Sequence, residues 1–206
     1  MLARLAAAHA AADAALLVDV GSTTADILLL GRHGALPLAL DDAGRMRSGE
    51  LVYTGIERTP LPALVRSLPV GGRRLPVAAE TFARSQDVWL LLGGLAEEPD
   101  SLDTCDGAPA TRAAARRRLS RSLLVDGDLA EDDALAAAER AAAVQTRLLA
   151  AALRRVLAAR AAPPEVVVVS GHGEALAARA LDRAGLTCPR VRLADRAPRW
   201  WTRSAA

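Results

Sequence analysis

The sequence predicts an α/β protein with a mixed sheet and flanking helices, and two patterns carry this prediction. Apolar runs at 16–20 and 25–30 flank four turn-forming residues, 21–24, an arrangement typical of a tight antiparallel hairpin. Further along, the apolar run 165–169 is bounded on both sides by helical patterns. Strands that alternate with helices indicate a layered α/β fold, and the hairpin adds an antiparallel pair.

The first half of the chain contains the hairpin, further strand patterns and two helical segments. An alanine-rich start favours a helix, and alternating apolar residues favour strands after the hairpin. Ser85 is placed to cap a short helix that Gly93 and Gly94 would close. The predicted elements are a helix over 2–15, strands over 16–20, 25–30 and 49–56, a candidate strand over 36–40, and a helix over 86–92.

The second half begins with an acidic, turn-rich segment and continues with the longest helical pattern. That pattern starts with three acids at 131–133 and has arginines near its end, which suits the helix dipole, and Pro163 and Pro164 end it. No internal repeat is visible. The predicted elements are a loop over 96–111, helices from Thr111 to about 124 and over 131–161, a strand over 165–169, a turn over 170–173, a helix over 174–184 and a strand over 190–194.

Composition excludes several classes of function. The net charge of the 206-residue chain is only +2 and aromatic residues make up 2%, which argues against nucleic-acid binding. All 26 basic residues are arginine, so neither a Schiff-base lysine nor a Walker-type phosphate loop is present. The two cysteines are far apart in the sequence, so neither a cysteine-ligated metal site nor a disulfide framework is expected. Without a charge-free apolar run of about 18 residues we expect no membrane partner, and the two distant cysteines favour a reducing cytoplasm.

The first candidate site is the segment from Asp19 to Asp26, whose sequence is DVGSTTAD. Asp19 ends a strand, where its carboxylate can hold Mg²⁺ through water, and Gly21 lets the backbone approach a phosphate. The hydroxyls and turn amides of Ser22, Thr23 and Thr24 form an anion nest, while Asp26 can brace the loop or bind a metal water. An ordinary hairpin with Asx and Ser turns is the alternative. Two acids that flank Gly-Ser-Thr-Thr favour a phosphate loop.

The second candidate site is the turn from Ser170 to Glu174, which joins an apolar strand to a helix. Gly171 and Gly173 would let a flat ligand group lie on the backbone, and the helix N-terminus adds partial positive charge. A plain strand–helix turn is the alternative, but the position about 150 residues after the first loop favours a ligand site. His172 is interpreted as an exposed, variable residue.

Together these sites resemble the ASKHA fold of actin, sugar kinases and Hsp70. The first segment resembles its second phosphate loop, and the second its adenosine-side glycine turn. Four stretches resemble a hydantoinase/oxoprolinase-related family, the tetrahydromethanopterin-linked C1-transfer pathway proteins, whose archaeal relatives are methanofuran-biosynthesis synthases. These stretches are VDVGSTTADI, SGELVYTGIERTP, VAAETFARSQDVWLLLG and DTCDGAPATRAAARRRL. The resemblance covers about residues 15–185 and implies a ribonuclease-H-like lobe.

The resemblance implies a transferase. The family reaction joins an aminomethyl-furan-methanol diphosphate to the phenol oxygen of γ-glutamyltyramine and releases diphosphate. Asp19 would then be a catalytic metal anchor for Mg²⁺, residues 21–24 would bind a small-molecule diphosphate or nucleotide, and no organic cofactor is expected. Arg58 could hold the phenolate or the γ-glutamyl carboxylate, or it could face solvent or form a structural ion pair. Asp103 and Asp106 could contact substrate, or belong to a solvated acidic loop.

Family members also carry an N-terminal half with a first phosphate loop that this sequence does not contain. We therefore expect a hydantoinase A-like C-terminal lobe over 1–196, with the first lobe largely missing, and an irregular tail over 197–206. Such a lobe would leave apolar surface exposed, for a second copy or a partner lobe to cover. Two alternatives stay open: an ATP-dependent amidohydrolase of the hydantoinase/oxoprolinase type, and an inactive or partner-dependent lobe.

Overall fold

A computed structural model describes residue 6 and residues 14–32, 34–160 and 163–195. The chain divides into two compact units. The first comprises the residues up to 53 and those from 147 onward, and the second comprises residues 54–146. The single domain predicted over 1–196 stays a prediction.

Strands and helices alternate along the described chain. The strands are β1 (Ala15–Val20), β2 (Ala25–Gly31), β3 (Gly34–Ala35), β4 (Leu51–Val52), β5 (Ser67–Val70), β6 (Arg73–Pro76), β7 (Val166–Ser170) and β8 (Arg190–Arg192). The helices are α1 (Asp42–Ser48), α2 (Leu61–Leu64), α3 (Ser85–Leu91), α4 (Arg112–Ser122), α5 (Glu131–Leu157) and α6 (Glu174–Ala184), and a 3₁₀ turn follows at Leu193–Asp195. The predicted α/β class is confirmed.

The first unit is built on a mixed sheet with the strand order β3-β2-β1-β7-β8, and β4 also pairs with β2. β1 runs antiparallel to β2 but parallel to β7, which in turn runs parallel to β8. The predicted strands 16–20, 25–30 and 165–169 therefore lie in one sheet, as their apolar patterns indicated. Because β1 is central, all of its residues except Asp19 are buried.

The core of the first unit is aliphatic. Leu17 and Leu30 from the hairpin pack with Val168 of β7 and Leu193 after β8. The helix α6 contacts both β1 and β7, and its Leu176 and Leu181 are fully buried. Each such side chain contributes about 1.5–3 kcal/mol on burial, so the sheet is stable without aromatic residues.

Between β3 and β4, backbone N–H groups donate hydrogen bonds to side-chain carboxylates. Asp41 caps α1 by accepting the Gly44 N–H at 2.8 Å. The fully buried carboxylate of Glu50 accepts the N–H groups of Leu38 and Ala39 at 2.7 and 3.0 Å. This carboxylate therefore anchors the segment that precedes α1.

The second unit contains the two-stranded sheet of β5 and β6 together with α2, α3, α4 and the first part of α5. Helices α3 and α4 contact each other, and Trp89 and Leu119 are among the fully buried side chains of this unit. Its core is therefore formed by helices.

A buried polar network lies beside this core. The Gln145 amide donates to the Gly55 carbonyl at 2.7 Å and to the Thr54 hydroxyl at 2.9 Å, and its oxygen accepts the Trp89 indole N–H at 2.8 Å. Ser85 Oγ also donates to the Gly55 carbonyl, at 3.0 Å, and accepts the Thr59 N–H at 3.1 Å. The family-like segment TGIERT is thus fixed by hydrogen bonds.

Two predicted strands are wrong or too long. Residues 36–40 form no strand, because Pro37 has no N–H and the next two amides donate to Glu50. Of the predicted strand 49–56, only Leu51–Val52 pairs with a neighbour. Gly49 ends α1 with a left-handed φ of 90°, and the carbonyl of Gly55 is bound by side chains.

The predicted helices are largely confirmed, with corrections at their ends. Arg84, not Ser85, is the N-cap of α3, and its N–H donates to Asp87 at 2.9 Å. Thr111 caps α4 as the sequence indicated. The helix α5 ends at Leu157 instead of 161, and the last strand ends at Arg192 before the 3₁₀ turn. The short elements α1, α2, β5 and β6 were missed.

Some predictions fall outside the described residues. Most of the helix predicted over 2–15 lies there, although the one described residue within it before 14, Ala6, is helical and buried. The tail predicted over 197–206 also lies outside. Among the described residues, no helix combines the length and apolarity needed to cross a bilayer.

We predict that Gln145→Leu destabilises the protein by about 1–3 kcal/mol, because it removes the three buried hydrogen bonds that the Gln145 amide makes with Trp89, Gly55 and Thr54. Leu124→Gln in the same unit is the control, since Leu124 is 73% exposed and its replacement should change stability by less than about 0.5 kcal/mol. Urea unfolding of both variants measures the difference. Equal unfolding midpoints would mean that the network does not stabilise the fold.

Candidate functional site

The β1–β2 turn is the centre of the first candidate site. Asp19 and Asp26 are directly opposite each other across the antiparallel pair. The Gly21 N–H donates to the Thr24 carbonyl at 2.9 Å and closes the turn, and the Ser22 and Thr23 hydroxyl oxygens are 3.5 Å apart. Two carboxylates and a group of hydroxyls therefore lie at one end of the hairpin.

The turn after β7 lies against this hairpin end. Asp19 is the register partner of Ser170 in the parallel pair, and the Gly173 N–H donates to the Val20 carbonyl at 3.0 Å. Both glycine turns thus occur at the same edge of the sheet, where β1 and β7 end. The two turns therefore adjoin each other within the first unit.

Glycine is required at both positions of the second turn. Gly171 has a φ of 81°, and a Cβ there would lie 2.2 Å from the Val20 carbonyl oxygen and 2.9 Å from Asp19 Oδ1. A Cβ at Gly173 would lie 2.3 Å from Val20 Cγ1. Backbone contact with β1 alone explains these glycines, so their presence does not by itself require a ligand.

Asp19 is half-buried between the two turns. Burial raises the pKa of its carboxyl, and the negative charge of Asp26 adds to this effect. A hydrogen bond from the Ser170 side chain and the charge of His172 act in the opposite direction but do not outweigh burial. A cation at this carboxylate would therefore relieve an electrostatic cost that the fold imposes.

Asp26 has a partner that the sequence did not reveal. The Arg45 guanidinium of α1 forms an ion pair with the Asp26 carboxylate, and both side chains are partly exposed. Asp26 is thus neutralised by protein, which leaves Asp19 as the acid of the turn that is better suited to a metal. Asp26 and Arg45 are 19 positions apart in the sequence, and no local pattern predicts that they pair.

Glu174 and His172 occupy the outer side of the second turn. Glu174 is the first residue of α6 and pairs with Arg192 of β8 at 2.8 Å. His172 is exposed, as predicted. The Glu174 carboxylate therefore stabilises the helix start and the neighbouring strand.

The other predicted site residues lie in the second unit. Arg58 Nη2 is 3.3 Å from Asp103 Oδ2, and Arg84 Nη2 is 3.1 Å from Asp103 Oδ1. Arg84 also donates to the Asp103 carbonyl. These two arginines lower the pKa of the exposed Asp103 carboxyl, with Arg84 the larger influence. The structural ion pair foreseen as an alternative for Arg58 is present.

Asp106 is held by a third arginine. The fully buried Arg118 donates from Nε to Asp87 at 2.7 Å and from Nη1 to Asp106 at 3.0 Å. Burial, the largest single influence, would raise the pKa of Asp106, but the Ala108 N–H and Arg118 together outweigh it and the pKa is lowered. The acidic loop is thus tied to the second unit by guanidinium groups.

No three His, Cys, Asp or Glu side chains among the described residues converge into a metal-binding group. Mg²⁺ needs no such cage, because it is commonly bound through one or two carboxylates together with substrate phosphates. Asp19, half-buried at the β1–β2 turn, fits that mode of binding. The magnesium expectation stays a prediction.

Sequence comparison assigns the class of protein. Residues 1–194 match the hydantoinase/oxoprolinase family, and the chain belongs to that family.

Two curated relatives carry the name (4-{4-[2-(γ-L-glutamylamino)ethyl]phenoxymethyl}furan-2-yl)methanamine synthase. The one from Methanocaldococcus jannaschii is 35% identical over 123 residues, which is 60% of this chain and 37% of that protein. The one from Methanococcus vannielii is 34% identical over 121 residues, or 58% of this chain and 54% of that protein. The chain thus matches about a third to a half of each relative's length.

We predict that Gly171→Ala destabilises the protein more than Gly185→Ala. Both glycines belong to the first unit and have a φ of 81°, but a Cβ at Gly185 meets nothing within 4 Å. Backbone strain of about 1–3 kcal/mol is therefore common to both. The overlap with Val20 should add about 1–3 kcal/mol at Gly171 alone. Chemical denaturation measures both, and equal losses would contradict the close backbone contact.

We predict that Asp19→Asn stabilises the fold at neutral pH. Because the folded-state pKa is raised above its ordinary value of 3.8, ionisation of Asp19 lowers wild-type stability as pH rises through that window. Asparagine does not ionise, so its advantage should be largest above the raised pKa and vanish below the ordinary one.

Denaturation of wild type and Asp19→Asn at several pH values measures this advantage. Asp182→Asn is a control, since it removes a carboxylate that is 69% exposed in the same unit. An Asp19→Asn advantage that is independent of pH would exclude the titration of Asp19 as its cause.

Proposed function

We propose that the chain is a ribonuclease-H-like ASKHA lobe with the activity named in its curated relatives. It would join an aminomethyl-furan-methanol diphosphate to the phenol oxygen of γ-glutamyltyramine. The main support is the pair of turns at one sheet edge, where Asp19 adjoins Ser170. The names of the relatives favour this synthase over the amidohydrolase.

The proposed reaction is a substitution at the methylene carbon of the furan. The phenol oxygen forms a bond to that carbon, the bond from the carbon to the diphosphate oxygen breaks, and diphosphate leaves with the electron pair. The phenol proton passes to solvent. With a free pKa near 10, ionising the phenol at pH 7 costs about 4 kcal/mol, so a nearby cation would help.

Asp19 and the turn amides would bind the leaving group. Turn amides offer only partial positive charge against the roughly three negative charges of a diphosphate. Mg²⁺, when bound, would supply the remaining charge compensation. Asp19 is the proposed metal anchor, because Asp26 already pairs with Arg45.

Arg58 is the proposed cation for the phenolate. It is 55% exposed and its guanidinium is 3.3 Å from Asp103. An incoming phenolate would therefore compete with an exposed carboxylate, whose ion pair is worth about 0–1 kcal/mol. A bound phenolate could therefore displace Asp103 from Arg58 at little cost in free energy.

The apolar surface expected in the first unit also supports a partner. Leu36, Leu38, Leu40 and Met46 are 42–92% exposed within a short stretch of chain. We propose that a second copy or a partner lobe covers this stretch and that the protein acts in the cytoplasm.

We predict that the wild-type chain binds Mg²⁺–diphosphate with a Kd in the millimolar range, about −4 kcal/mol, and that Asp19→Ala does not bind. Asp182→Ala is the matched control, because it removes the same charge from an exposed site in the same unit. Calorimetric titration in the presence of Mg²⁺ measures all three affinities.

Equal affinity in wild type and Asp19→Ala would remove Asp19 from the site. Absence of binding in every variant would favour an inactive or partner-dependent lobe.

A further inference from the structure

The second unit contains a cavity of about 330 Å³, and Asp106 of the predicted substrate loop is part of its lining. This volume lies at the lower end of the range of about 300–1,000 Å³ that is usual for small-molecule pockets. Its lining includes Glu80, Thr81, Phe82, Asp106, Arg118 and Arg121. Positively and negatively charged side chains therefore line the same cavity.

The arginines of the lining are held in place by their surroundings. Arg118 is 1% exposed and binds carboxylates through Nε and Nη1. Its Nη2 atom is buried and has no hydrogen-bond partner within the described part of the chain. The Arg121 guanidinium stacks on the Phe82 ring at 4.8 Å from the ring centroid. A buried N–H without a partner is rare in proteins, and the missing acceptor can be supplied by water or by a ligand.

The acidic groups of the lining come from two loops. Glu80 is exposed and accepts the Thr81 N–H at 3.3 Å. Asp106 binds Arg118 on the other side. Cys105 also lines the cavity, and burial raises the pKa of its thiol, so that at neutral pH it adds no negative charge.

This distribution of charge selects one class of ligand. Because Asp106 already pairs with Arg118, a simple anion would meet Glu80, and a simple cation would meet Arg121 and the Nη2 of Arg118. A ligand that carries both an ammonium and a carboxylate on one carbon can place each group against the opposite charge. An α-amino acid head group has this chemistry.

We propose that this cavity binds the α-amino acid end of a γ-glutamyl ligand, with its carboxylate at Arg118 Nη2 and Arg121 and its ammonium at Glu80. The choice of a γ-glutamyl ligand rests on the proposed function, since that group occurs in the name of both relatives. The cavity itself is a property of the second unit alone.

The test uses L-γ-glutamylethylamide and two analogues in NMR titrations of the full chain. One analogue, glutaric acid monoethylamide, lacks the ammonium, and the other, 4-aminobutyric acid ethylamide, lacks the carboxylate. Wild type should bind the amino acid form about tenfold more tightly than either analogue, the effect of one charge-assisted hydrogen bond.

Two variants assign the charges. Arg121→Gln and Glu80→Gln should each weaken binding of the amino acid form about tenfold. Arg121→Gln should also abolish the preference over the analogue without a carboxylate, and Glu80→Gln the preference over the analogue without an ammonium. Arg117→Gln is the matched control, because Arg117 is exposed on the same helix and does not line the cavity.

Absence of binding by wild type, equal binding of all three compounds, or unchanged affinity in Arg121→Gln would overturn the inference. The Mg²⁺–diphosphate titration separates the two proposals. Diphosphate binding without γ-glutamyl binding would reject the cavity assignment and leave the proposed function. The reverse result would reject the proposed function and leave an amino acid site in the second unit.

Discussion

The parallel pairing of β1 with β7 is the constraint on which the candidate site depends. It brings the ends of two strands, about 150 residues apart in sequence, to the same sheet edge. The hydrogen bond from Gly173 to Val20 then draws the second turn onto the first. Asp19 loses solvent on both sides as a result, and its raised pKa follows from that burial. A loosely joined turn would leave an ordinary exposed aspartate.

Arginine has a specific structural role in the second unit. Arg118 binds Asp87 and Asp106 at once through different nitrogens, and Asp103 is bound by two arginines. A planar guanidinium can bridge carboxylates in this way, whereas a lysine ammonium acts as a single point charge. The sequence contains no lysine, and arginine alone supplies the cations of these ion pairs.

The strands and turns of the site could be predicted because their signals are local. An apolar run followed by glycine is visible within ten residues, and β1, β2 and β7 occur as that pattern indicated. The errors at 36–40 and 49–56 share a different cause. There, side chains of Glu50 and Gln145 satisfy backbone groups that a strand would have paired, and Gln145 is 90 residues from Gly55. Arg45 was missed for the same reason, because an ion pair with Asp26 leaves no periodic pattern.

The close fit of the second turn restricts where the site can vary in evolution. Gly171 and Gly173 cannot gain a side chain without displacing β1, whereas position 172 between them already carries one. Its present occupant, His172, is exposed and its charge lowers the pKa of Asp19. A substitution at 172 could therefore adjust the acidity of Asp19 and leave the backbone unchanged. Homologues with different residues at this position would be natural variants in the acidity of Asp19 on an unchanged backbone.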